Sequence, residues 1–76
     1  MIKEPLDFDL YKDYEIDPRN VAYVITYENL TMTRAGEIED ELITKRFKIV
    51  NSELESQFEG KYKLVIIAVE PVSFTF

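Results

Sequence analysis

A chain of 76 residues with nine bases, fifteen acids and a net charge of −6 is long enough for one domain, 1–76. Lacking both His and Cys, it forms no disulfide, no zinc site of the ordinary kind and no Ser–His or Cys–His nucleophile pair. The acidic balance argues against direct contact with nucleic acid or an anionic membrane, and an apolar share of 46% is too high for disorder.

From Asp7 to Asp17 apolar and acidic residues alternate, with Phe8, Leu10, Tyr14 and Ile16 on one side. Asp7, Asp9, Tyr11, Asp13, Glu15 and Asp17 fall on the other, and only Lys12 breaks the inward set. Period two predicts a strand with one buried face. Asp17-Pro18-Arg19-Asn20 then has Asp and Pro where a type I turn wants them, and Val21, Tyr23, Ile25 and Tyr27 lead a returning strand.

Residues 30–50 admit two readings. As a hairpin they turn at Arg34-Ala35-Gly36-Glu37, with pairs summing to 70: Met32 faces Ile38, Tyr27 faces Ile43 and Tyr23 faces Phe47. The apolar parity of the two arms switches at opposing positions, which favours this reading, although Leu30 with Asp40 and Ile25 with Lys45 fit poorly. As a helix over about 36–50 they place Glu37, Glu39, Asp40 and Glu41 near the start and Lys45, Arg46 and Lys48 at the end. The apolar residues through Val50 smear around that wheel.

Ser52-Glu53-Leu54-Glu55 has capping-box spacing and Gly60 stands where a helix ends, which predicts a short helix over about 52–59. Lys61 to Val69 is the most apolar run, with Tyr62, Leu64, Ile66 and Ala68 on one face and Val65, Ile67 and Val69 on the other. It reads as a central strand covered on both sides. Val72, Phe74 and Phe76 alternate to the end as a final strand. The expected fold is mostly β: a small antiparallel five-stranded sheet or OB-like barrel with one short helix. The alternative is α+β, β-grasp-like in element order, with its helix over about 36–50.

The acids carry the functional reading. On a strand, Asp7, Asp9, Asp13, Glu15 and Asp17 recur every ~6.6 Å per two residues, a spacing comparable to that of successive phosphates on one nucleic-acid strand. Glu37, Glu39, Asp40 and Glu41 extend the negative field. Such a face fits a basic, nucleic-acid-binding surface on a partner protein; the plain reading is a solvated face that guards a sheet edge. Calcium binding fails because Asp7 to Pro18 lacks the loop Gly and the closing Glu. Lys45, Arg46, Lys48, Lys61 and Lys63, with Phe47 and Tyr62 between them, read as cross-strand charge partners before any base-stacking site.

Val72, Phe74 and Phe76 line a core or form an oligomer edge. Met1–Asp9 has no leader-like apolar core, so the expected address is the cytoplasm, or the host's if the chain is encoded by a virus or mobile element. Asn29-Leu30-Thr31 is then a chance sequon. The expectation is a non-enzymatic protein-binding module without cofactor or metal, in its specific form an inhibitor or modulator, with a structural, self-assembling subunit as the alternative.

Overall fold

The structure, a computed structural model, describes residues 1–71. Four strands, β1 (Ile2–Pro5), β2 (Ala22–Leu30), β3 (Lys48–Ser56) and β4 (Tyr62–Val69), pair antiparallel in the order β1-β2-β4-β3. One helix, α1 (Met32–Thr44), connects β2 to β3. The sheet is open, with β1 and β3 as its edges among the described residues, so the five-stranded barrel is corrected to a four-stranded sheet carrying one helix. The alternative order of two strands, a helix, then strands is found, but its first strand is Ile2–Pro5 in place of Asp7–Asp17 and its helix Met32–Thr44 in place of about 36–50. The terminal run Val72, Phe74 and Phe76 lies outside the described residues.

β4 occupies the interior position that its two apolar faces require. On its first face Leu64, Ile66 and Ala68 meet Ile25 and Leu30 of β2 and Ala35, Ile38 and Leu42 of α1. On its second face Ile67 and Val69 meet Ala22, Leu6, Tyr11 and Ile16. Leu64 and Ile66 are essentially inaccessible, each side chain contributing about 1.5–3 kcal/mol through burial.

Local chemistry sets both ends of α1. The Thr31 hydroxyl accepts the Arg34 N–H at 3.1 Å as an N-cap. At the other end Arg46 adopts φ +69°, its N–H donating to the Ile43 carbonyl at 2.9 Å while the Phe47 N–H reaches the Leu42 carbonyl at 3.0 Å. This is a Schellman stop, and Phe47 packs on the core cluster that holds Leu42, as that motif favours. The hairpin with pairs summing to 70 is therefore absent. Ile49 and Val50, which blurred the helical stripe, belong to β3; within Met32–Thr44 the buried positions are Ala35, Ile38 and Leu42, spaced three and four apart. Gly36 is an exposed helical residue and no turn.

The helix expected over 52–59 is also absent. Lys48–Ser56 pairs with β4 along its length, interrupted by one extra residue between Ile49 and Asn51. Gly60 serves a turn: the Lys61 N–H donates to the Phe58 carbonyl at 3.1 Å, and Glu59 and Gly60 both take positive φ (58° and 71°). That is a type I′ hairpin, whose twist matches the flanking strands. Behind the capping-box spacing stood only the pair Leu54 and Phe58, four apart, and neither is buried: Leu54 is 42% exposed and Phe58 almost wholly so.

Asp7–Asp17 is not a strand. The Asp7 carboxylate accepts the Asp9 N–H at 3.1 Å and starts a 3-10 turn over Phe8–Leu10, after which the chain turns again through Glu15. Tyr11, assigned to the outer set by alternation, is buried; Phe8 is 64% exposed. Leu6, Tyr11 and Ile16 are the buried members, five apart, and they cap the second face near the start of β2. The turn at Asp17–Asn20 forms as expected, closed by the Asn20 N–H on the Asp17 carbonyl at 2.9 Å.

Candidate protein-binding surface

The two acidic clusters lie on opposite sides of the sheet, because α1 covers the first face and residues 6–17 cover part of the second. On α1, Glu37 and Glu41 both accept from the Arg34 guanidinium, at 3.3 and 2.8 Å. That contact holds the Glu41 carboxyl below its ordinary range and raises the Arg34 guanidinium. The phenol of Tyr27, partly buried beside Glu41, is pushed up by desolvation first and by that charge second. Glu39 accepts the Ser52 hydroxyl at 2.5 Å and Asp40 is exposed. Three of the four helix acids are thus engaged locally.

The segment over the second face behaves differently. Asp9, Asp13 and Glu15 are exposed, and Asp7 is exposed apart from its capping bond. Asp17 is the exception: Arg19 donates to both its oxygens, as close as 2.6 Å, holding its pKa at about 2 and raising that of Arg19. Because the segment is coiled, these five acids do not form the regularly spaced row expected of a strand.

The sheet adds four acids to the same side. Strand register places Ile2, Thr26, Val65 and Glu53 across one row of the second face, and Glu4, Val24, Ile67 and Asn51 across the next. In the row on the other side of the first, Lys63 stands opposite Glu55, while Glu28 and Asn29 share the place opposite Lys63 on its β2 side, where β2 carries one extra residue. Glu4, Glu28, Glu53 and Glu55 are all exposed. Among the described residues none of these four, nor Asp7, Asp9, Asp13 or Glu15, forms an ion pair. The bases on this side include Lys12, Lys48 and Lys63, together with Arg19, which Asp17 engages. Lys3 sits on the first face, its ammonium 4.2 Å from the Tyr23 ring centroid and 5.6 Å from that of Phe47.

No protein-family model, curated protein or solved structure matches the chain.

Glu4, Glu28, Glu53 and Glu55 were missed because they are scattered in sequence and joined only by strand pairing. The signal available was the Ser52–Ser56 alternation, legible once that segment is a strand. The basic residues are divided: Lys45, Arg46 and Lys48 stand at the start of β3, while Lys63 is paired opposite Glu55 near its far end, about 23 Å along the strand, and Lys61 lies just beyond that end. Phe47 and Tyr62 pack against the core instead of standing free for stacking. Among the described residues no group of three or more carboxylates could hold a metal ion, and no helix is long and apolar enough to cross a membrane.

Proposed function

We propose that the chain is a non-enzymatic, acidic protein-binding module whose helix-free face docks on a basic surface of another protein. The observation carrying this reading is that Glu4, Glu28, Glu53 and Glu55 lie on the same side of the sheet as the segment bearing Asp7, Asp9, Asp13 and Glu15, all without ion partners among the described residues. Unpaired surface acids raise the on-rate for a basic partner and repel acidic ones. In its specific form the module is an inhibitor or modulator that competes with nucleic acid for that basic surface, the type of small cytoplasmic protein a virus or mobile element encodes. Glu53 and Glu55, about 6.6 Å apart along β3, supply the phosphate-like spacing that the coiled N-terminal segment does not.

The test is capture of partners from a native-host lysate on immobilised protein, followed by stepwise salt elution. A basic, nucleic-acid-binding partner released by moderate salt and displaced by competing DNA or RNA is the expected result. Partners that resist salt contradict the reading.

The second reading is a self-assembling subunit with Val72, Phe74 and Phe76 at an oligomer edge. The outer edge of β3, unpaired among the described residues, favours it, since a nine-residue open edge is a template for another strand. Light scattering at high concentration separates the two: a monomer supports the modulator, a fixed oligomer the subunit.

A further inference from the structure

At one end of the sheet, the extra residue in β2 and the β3–β4 turn enclose a solvent-open concavity of about 680 Å³, lined by Glu28, Asn29, Ser56, Gln57, Phe58, Glu59 and Lys61. Phe58 is 92% exposed, the most exposed large apolar side chain described. It stands at the first position of the I′ turn, where backbone geometry and not core packing fixes its place. The concavity thus combines an open aromatic ring, two carboxylates and neutral hydrogen-bonding groups, with Lys61 as the lining's base. Its size falls in the range of ligand-binding clefts.

We infer that this concavity is a receptor for an arginine side chain presented by the basic partner, with the guanidinium over the Phe58 ring and its N–H groups directed to Glu28 and Glu59. A planar cation suits such a mixed site better than an ammonium, because it stacks on the ring and donates in a fork at once. The inference rests on the reading of the second face as a docking surface for a basic protein. It adds a point at the end of the sheet, beside that surface, where aromatic contact, and not charge alone, selects the partner.

The test is an NMR titration of ¹⁵N-labelled protein with acetyl-Gly-Arg-Gly-amide, its lysine counterpart and its neutral citrulline counterpart, alongside an octalysine peptide that reads the acidic face as a whole. Saturable shifts confined to Glu28, Asn29 and Gln57–Lys61 are expected with the arginine peptide. They should be weaker with lysine and absent with citrulline. Phe58→Ala should weaken arginine binding by about threefold or more, and Lys61→Gln should strengthen it. Octalysine shifts on the second face without arginine shifts at the concavity overturn this inference and leave the acidic-face reading standing. Loss of both responses overturns the two together. Arginine shifts unchanged in Phe58→Ala also overturn it.

Discussion

The phenol oxygen of Tyr11 accepts the backbone N–H of Ala22 at 2.9 Å, with both residues buried. The Leu6 N–H donates to the Ala22 carbonyl, also at 2.9 Å, so the first residue of β2 has both backbone groups satisfied by the segment folded over it. That pairing explains why an acid-rich stretch lies against the sheet: Tyr11 brings an apolar body and one polar tip to a buried strand end. Tyr11→Phe leaves the Ala22 N–H without a partner and should cost about 1–3 kcal/mol. Urea unfolding checks it, as a lower midpoint with an unchanged slope.

Gly36 and Arg46 stand in each other's preferred conformations. Gly36 is helical with nothing within 4 Å of an added Cβ, and Arg46 takes the positive φ that glycine accepts freely. Gly36→Ala should therefore stabilise the fold by about 0.5–1 kcal/mol, and Arg46→Gly by up to about 1 kcal/mol. Thermal melts followed by circular dichroism check both; a Gly36→Ala variant that melts earlier contradicts the helix at that position.

These two residues also show why the middle of the chain was hard to read. Gly36 signals a turn by type, yet it sits inside a helix; Arg46 carries no stop signal, yet it ends one. Local residue chemistry misplaces both, and burial of Ala35, Ile38 and Leu42 against the sheet decides the outcome. The Lys61–Val69 strand was legible because its composition leaves no exposed face to choose. Asp7–Asp17 was not, because alternation and a compact turn both put Ile16 inside, and they differ at Tyr11, which is buried, and at Phe8 and Leu10, which are exposed. The acids were visible one by one, but strand register alone gathers Glu4, Glu28, Glu53 and Glu55.

Acid should weaken the turn at Asp17. Arg19 holds the Asp17 carboxyl at about 2, below its ordinary 3.8. A carboxyl with a depressed folded-state pKa contributes stability that is full above the unfolded value and lost as pH falls from about 4 through about 2. Asp17→Asn should therefore be less stable than the parent at neutral pH, and the gap should close as pH falls toward 2. Paired denaturation curves at pH 7, 4 and 2 measure it; a gap that is constant across the three assigns the effect to something other than this ion pair.

Removing the Phe58 ring should barely touch stability, since the side chain is almost wholly in solvent. Phe58→Ala should shift the unfolding free energy by less than about 0.5 kcal/mol. A larger loss would place the ring in the fold, and chemical denaturation decides between the two.

The most direct measurement compares two charge-neutralised variants for salt-sensitive binding to the captured partner. One carries Glu4→Gln, Glu28→Gln, Glu53→Gln and Glu55→Gln; the other carries Glu37→Gln, Glu39→Gln, Asp40→Asn and Glu41→Gln. Both remove four acids, so a general charge effect weakens both alike. The account predicts that the sheet-face variant loses about tenfold or more in affinity, with a shallower salt dependence, while the helix variant binds nearly as the parent does. Equal losses, or a loss confined to the helix variant, would contradict it.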